Sequence, residues 1–137
     1  MLVRDAMSTL VLTVRSTDTL RRAARLMSEH RVGAVAVLDL DGADEDAALG
    51  ILTERDVLRA VGAGCDPGTE TAGPHTTTDV VFAAPAWPLE RAAEAMTRGG
   101  FRHLIVLDGR LPVGIVSLRD ILRCWAPSGR RHADLSG

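Results

Sequence analysis

Apolar residues recur at helical spacing in two places, Leu20, Ala23, Ala24 and Met27, then Leu89, Ala92, Ala93 and Met96. Spacing of i, i+3, i+4, i+7 puts all four side chains on one face, so each set predicts an amphipathic helix. Asp18 is the expected cap of the first helix, and Pro88 suits the first turn of the second. After each helix come two short apolar runs bounded by turn residues, which predict strands at Ala34–Leu38 and Leu49–Leu52, then at His103–Leu107 and Pro112–Val116. Before each helix lies a β-rich run, VLTV (Val11–Val14) and DVVFA (Asp79–Ala83). A second helix closes each set, Glu54–Ala60 and Leu118–Trp125, with Pro127 ending the last. The pattern is strand–helix–strand–strand–helix, written twice.

The repetition reaches single residues. GILTERDVL (Gly50–Leu58) returns 64 positions later as GIVSLRDIL (Gly114–Leu122). Leu20, Met27 and Asp39 match Leu89, Met96 and Asp108, each 69 positions apart. The offset falls because ten residues separate Asp39 from Gly50 and only five separate Asp108 from Gly114. The excess lies in an acidic, Gly/Ala-rich stretch that reads as an exposed hairpin loop. Residues 1–62 form the first repeat and 79–126 the second. Residues 63–78, rich in Gly, Pro and Thr, read as a linker, and 127–137 as a disordered tail. A unit of roughly 55–60 residues buries its sheet poorly alone. The expected fold is therefore α/β (α+β), two βαββα repeats packed sheet to sheet about a pseudo-two-fold axis.

Composition narrows the chemistry. Of 137 residues, 46% are hydrophobic and 3% aromatic, so the core must come from Val, Leu, Ile, Ala and Met, with Met27 and Met96 in it. The net charge of −2 supplies no basic field, and neither nucleic acid nor a membrane is an expected partner. All 16 basic residues are Arg, so any anion would meet a planar, permanently charged fork. No window approaches the roughly 18 apolar residues of a membrane span, and the N-terminus does not read as a signal peptide. Cys65 and Cys124 read as reduced thiols of a cytoplasmic protein. Cys65, His75, Cys124 and His132 fall in the linker, a helix end and the tail, so no metal site is expected. No nucleophile–base pattern or phosphate-binding glycine loop stands out, so neither an enzyme nor a catalytic cofactor is expected.

Tandem βαββα units that each end in G-h-h-[ST]-x-x-D-h-h, with h apolar, resemble a pair of CBS domains, the arrangement called a Bateman module. GILTERDVL and GIVSLRDIL both fit that signature. HRVGAVAVLD (His30–Asp39) and GFRHLIVLD (Gly100–Asp108) resemble the family's second-strand region, and LVLTVRSTDTLRRAARLM its opening strand and helix. The resemblance covers about residues 3–126. It implies a regulatory module without catalysis that binds an adenosine-containing ligand such as AMP, ADP, ATP, NAD or S-adenosylmethionine in a cleft between the repeats. With no enzyme, transporter or helix-turn-helix segment in view, a stand-alone sensor acting on an unknown regulated protein is expected. By family geometry each site mixes the copies. One set is Thr13, Val32, Gly33 and Ala34 with Ile115, Ser117, Arg119 and Asp120. The other is Phe82, Phe101, Arg102 and His103 with Ile51, Thr53, Arg55 and Asp56. The Asp would take the ribose hydroxyls, and Arg55, Arg119, Arg102 and His103 are the phosphate candidates. The set with small Gly33 and Ala34 leaves more room for a purine than the set with Arg102 and His103.

The same residues have simpler readings. T-x-x-D and S-x-x-D at a helix start are capping boxes and need no ligand. Arg55 and Arg119 on a first helical turn oppose the helix dipole, which suits a nearby anion, yet solvated surface arginines are equally ordinary. His103 on an apolar strand is as readily a satisfied core histidine. Val57, Leu58 and Ala60, then Ile121, Leu122 and Trp125, suit the face of an isologous homodimer. The alternative function is a ligand-free dimerisation or protein-interaction module.

Overall fold

The computed structural model describes residues 1–39 and 48–126. In chain order the elements are α1 (Val3–Ala6), β1 (Thr13–Val14), α2 (Leu20–His30), β2 (Ala34–Asp39), β3 (Ala48–Thr53) and α3 (Glu54–Gly62). A 3-10 turn (Gly73–His75) follows, then α4 (Leu89–Gly99), β4 (His103–Asp108), β5 (Leu111–Ser117) and α5 (Leu118–Trp125). The α+β class and the duplicated unit are as expected. The hairpin loop expected after Asp39, Pro127, His132 and the 127–137 tail lie outside the described residues.

The chain divides into two compact units. One runs from Val11 to Val80 and holds a three-stranded sheet in the order β1-β2-β3. β1 runs parallel to β2, with Thr13 opposite Ala36, and β2 runs antiparallel to β3, from Ala34 opposite Thr53 to Asp39 opposite Ala48. The parallel pair needs a crossover, and α2 provides it. Its apolar face puts Leu20, Ala23 and Met27 into a core with Val14, Val35, Val37, Leu52, Ala60 and Ala72. Thr19, not Asp18, caps α2, its hydroxyl accepting from the Arg22 N–H at 3.1 Å. Asp18 lies one residue too early and accepts the Arg15 N–H at 2.8 Å instead. α2 ends on Arg31 in the left-handed region, φ 56°, where α4 ends on Gly100, φ 72°.

The other unit joins Met1–Leu10 to the residues from Val81 onward. β4 and β5 pair antiparallel, His103 opposite Ser117, with an irregularity at Val106/Leu107. The opening strand expected over Asp79–Ala83 does not form. Only Ala83 makes a parallel bridge, to Val106, because the chain turns at once, with the Trp87 N–H on the Ala84 carbonyl at 3.0 Å. The opening strand of the first repeat is likewise short, two residues in place of four. The core comprises Ala83, Leu89, Ala92, Met96, Leu104, Val106, Val116 and Ile121, and it includes Val3 from α1.

These units depart from the boundaries read in the sequence. Residues 1–10 belong to the first repeat by sequence and pack with the second. Val3 is fully buried there, and Ser8 and Ile115 exchange N–H···O bonds, both at 2.9 Å. Residues 63–78 are a docked segment of the first unit, not a free linker. Ala72 is fully buried, and the N–H groups of Leu20, Ala72 and Gly73 bond to Glu70, Asp18 and Ser16 carbonyls at 2.8–2.9 Å. Ile51 and Thr77 exchange N–H···O bonds at 2.9 Å, as Ser8 and Ile115 do. Ser8 and Thr77 are themselves 69 positions apart. Each repeat's lead segment therefore pairs with the last strand of the other repeat.

Candidate ligand-binding site

The repeated phrase builds the same junction in each unit. Thr53 ends β3 and caps α3, and Ser117 ends β5 and caps α5. Thr53 donates its N–H to Asp56 Oδ2 at 2.9 Å and its hydroxyl to the same oxygen at 2.9 Å, while the Asp56 N–H reaches Thr53 Oγ1 at 3.3 Å. Ser117 donates its N–H to Asp120 Oδ2 at 2.9 Å, and the Asp120 N–H reaches Ser117 Oγ at 3.0 Å. Both are closed capping boxes. In each, one carboxylate oxygen is engaged and the carboxylate plane is fixed. Among the described residues Asp56 Oδ1 makes no hydrogen bond, and Asp120 Oδ1 has only the Arg123 guanidinium at 4.0 Å, a mostly exposed group.

The β ladders decide what lies beside each carboxylate. Ala34 faces Thr53 across the ladder, and the Glu54 N–H donates to the Gly33 carbonyl at 3.0 Å. His103 faces Ser117, and the Leu118 N–H donates to the Arg102 carbonyl at 2.8 Å. The Val11–Val80 unit thus gathers Val32, Gly33, Ala34, Thr53 and Asp56, with Arg55 exposed on the first turn of α3. Thr13, exposed, and Ile51, buried, both pair with Ala36. The other unit gathers Arg102 and Arg119, both exposed, with half-buried His103, Ser117 and Asp120 and buried Ile115. Phe82 is half-buried one residue before the Ala83 bridge. Phe101 packs on the core of its own unit and folds back over Gly99.

Two features escaped the sequence reading. Thr13 lines an open concavity of about 420 Å³ together with Val14, Arg15, Asp18, Arg22 and Leu38. Arg15, Asp18 and Arg22 flank the opening strand, a position the repeat pattern did not single out; Arg22 and Asp18 pair at 3.7 Å. The second feature is a cluster of donor atoms after α3. Donor atoms of Cys65, Glu70 and His75 lie within 4.8 Å of one another. Glu70 was missed, Cys124 lies on α5, and His132 is outside the described residues. Elsewhere, Asp39 Oδ1 accepts the Ser16 N–H at 2.9 Å, and the hydrogen bonds from Ser16 hold the Asp39 carboxyl below its ordinary range. No helix among the described residues is long and apolar enough to cross a membrane.

The family model for the CBS domain matches this chain twice, over residues 3–63 and 74–126. The chain belongs to the CBS domain family. It is 36% identical over 120 residues to the CBS domain-containing protein YhcV of Bacillus subtilis, covering 87% of this chain and 81% of that one. It is 33% identical over 121 residues to hypoxic response protein 1 of Mycobacterium tuberculosis, covering 88% and 82%. Among solved structures, the CBS domain pair of protein MJ0100 in complex with methylthioadenosine and S-adenosylmethionine superposes with a TM-score of 0.80 at 26% identity, covering 92% of this chain and all of that one. A hexameric CBS-CP12 protein from bloom-forming cyanobacteria gives 0.81 at 28% identity, covering 89% of this chain and 66% of that one.

Both CBS repeats show why their signature begins with Gly. A Cβ on Gly50 would stand 2.5 Å from Thr76 Cγ2 and 2.7 Å from the Thr77 carbonyl oxygen. A Cβ on Gly114 would stand 2.5 Å from Met7 Sδ and 2.9 Å from the Ser8 carbonyl oxygen. The glycine lets the incoming lead segment lie against the strand.

Proposed function

We propose that this CBS pair is a regulatory module, without catalysis of its own, that binds an adenosine-containing ligand: AMP, ADP, ATP, NAD or S-adenosylmethionine. The observation that carries the reading is the duplicated strand-to-helix junction. Each presents a carboxylate locked by its capping box with one oxygen turned away from that box. A ribose hydroxyl donating to that oxygen makes a charge-assisted bond worth about 1.5–3 kcal/mol once desolvated. The carboxylate is already fixed, so little side-chain entropy is lost on binding. The helix N-terminus beside it favours phosphate, and Arg55 or Arg119 on the first turn adds a cation. The MJ0100 pair, a related fold in complex with two adenosyl compounds, supports the ligand class.

The module acts in the cytoplasm as a homodimer. Leu58 and Val61 on α3 are 71% and 47% exposed, and Leu122 and Trp125 on α5 are 56% and 46% exposed. Apolar faces of this kind suit a second copy. Ligand occupancy would reach an unidentified regulated protein through differential affinity for two conformations of the module.

Isothermal titration with each of the five ligands tests the proposal, alongside Asp56→Asn and Asp120→Asn. Asn keeps a cap acceptor and removes the charge, and circular dichroism checks the fold. Micromolar binding of at least one ligand, weakened about tenfold or 1.4 kcal/mol in a variant, supports the sensor. Flat heat for all five rejects it. The closed capping boxes favour one second reading, because they hold one oxygen of each carboxylate without any ligand. On that reading the protein is an interaction platform, and the Asn variants lose a little stability and no binding.

A further inference from the structure

We propose that Cys65, Glu70 and His75 form a three-donor site for a divalent transition-metal ion of the zinc type. The three residues are spaced C-x4-E-x4-H in one short segment after α3. No helix or hairpin period would bring them together; backbone turns do it.

The segment is tied down by its own backbone. At the end of α3 the Cys65 N–H donates to the Ala60 carbonyl at 3.0 Å. Asp66 then organises a turn. Its carbonyl accepts the Thr69 and Glu70 N–H groups at 3.1 and 2.8 Å, and its Oδ1 accepts the Gly68 N–H at 2.9 Å. The Pro67 and Glu70 carbonyls accept the Arg21 and Leu20 N–H groups, both at 2.9 Å, which fastens the turn to the start of α2. The His75 N–H closes the 3-10 turn on the Ala72 carbonyl at 3.0 Å, beside fully buried Ala72. The three side chains therefore rise from a backbone that is positioned without a metal.

The donor set is specific in kind. Thiol, carboxylate and imidazole together suit zinc and its transition-metal neighbours, whereas calcium and magnesium select oxygen ligands alone. Zinc bond lengths of about 2.0–2.3 Å place tetrahedral donors about 3.3–3.5 Å apart. In this structure the three donors lie within 4.8 Å, and His75 Nε2 is 2.7 Å from Glu70 Oε2. Shifts of about 1 Å, within reach of side-chain rotation, complete a trigonal set. All three residues are half-buried, which leaves a fourth position for water or a further ligand. The bound ion would brace the segment that leads into Thr76 and Thr77, and Thr77 pairs with Ile51 two residues before the Thr53 cap.

The competing account needs no metal. Glu70 and His75 would simply be hydrogen-bonded, and Cys65 would be a thiol packed against the core. Equilibrium dialysis of the chelator-treated full chain against Zn²⁺ separates the two accounts, with Co²⁺ as a spectroscopic substitute. The variants are Cys65→Ser, Glu70→Gln and His75→Gln, with Cys124→Ser as the control and circular dichroism on each. The proposal expects one equivalent of zinc per chain and a thiolate-to-cobalt charge-transfer band. It expects affinity to fall at least tenfold in Cys65→Ser and His75→Gln and to stay unchanged in Cys124→Ser. If Cys65→Ser does not fold, His75→Gln and the cobalt band of the unmodified chain carry the test. Zinc uptake indifferent to His75→Gln, or a cobalt spectrum without the thiolate band, overturns the site.

Discussion

Replacing Gly50 with Ala should break the contact that the repeated phrase exists to allow. The new methyl would lie 2.5 Å from Thr76 Cγ2 and 2.7 Å from the Thr77 carbonyl oxygen, where ordinary carbon contacts begin at about 3.5 Å. Thr76 can turn its side chain away. The Thr77 carbonyl is backbone, and it accepts the Ile51 N–H at 2.9 Å while the Thr77 N–H returns the same bond. Two routes are open, and they are alternatives rather than a sum. The segment stays and the overpacking costs about 1–3 kcal/mol. Or it lifts away, and two hydrogen bonds worth about 0.5–1.5 kcal/mol each are lost. Either way the expected loss is about 2 kcal/mol. Gly62→Ala is the control, because no heavy atom lies within 4 Å of its Cβ position and Ala favours a helix. Urea denaturation reads the difference. With a slope of about 2 kcal/mol per molar, the Gly50→Ala midpoint should fall by about 1 M with the slope unchanged. Equal midpoints for Gly50→Ala and Gly62→Ala would refute the close-approach argument.

Four further outcomes follow from named contacts. Thr53→Ala and Ser117→Ala each remove a helix cap and should cost about 1 kcal/mol in thermal unfolding, whether or not a ligand is present. Arg31→Gly should stabilise the fold by up to about 1 kcal/mol, since Arg31 holds the left-handed position that Gly100 holds in the second repeat; a lower denaturation midpoint would contradict this. The lowered pKa of Asp39 means its stabilisation is present above the ordinary Asp range and disappears as pH falls through the folded value. Stability measured against pH should therefore fall less steeply on the acid side in Asp39→Asn than in the unmodified chain. If the proposed dimer forms through the exposed face of α5, Trp125→Glu should give a light-scattering mass of one chain where the unmodified protein gives two, and a mass of two chains in that variant would move the interface elsewhere.

The helices were legible because a 3.6-residue period needs only local sequence. α2 and α4 began at the Leu residues that head their apolar sets, and α5 matched residue for residue. The α2 cap was misread by one position, since Asp18 and Thr19 are both good caps and only the helix start chooses between them. The Asp56 and Asp120 junctions were legible as capping boxes from spacing alone. The docking of residues 63–78 was not, because Gly, Pro and Thr describe a free linker and an edge-pairing segment equally well. What decides is a partner far away in sequence, as Thr77 has in Ile51. The Cys65, Glu70 and His75 cluster was hidden for the same reason, its members being joined by turns without a period. Phe101 reads as a member of the second site set, and its ring lies over the bare surface of Gly99 and against the core of its own unit, a placement that spacing does not reveal.

The crossing of the lead segments bears on how such a chain could arise. A solitary ancestral copy would own a lead with no strand to join and a glycine-marked strand with nothing lying on it, an open edge of the kind that recruits other chains. Two such molecules would complete each other by trading leads. Gene duplication would then fix that trade within one polypeptide, and neither half could afterwards be deleted without stripping the survivor. The seam of heredity, near residue 70, and the seams of folding, at Leu10–Val11 and Val80–Val81, fall in different places. Dissection of this protein at the repeat boundary would cut through a core, whereas Val11–Val80 carries one core entire.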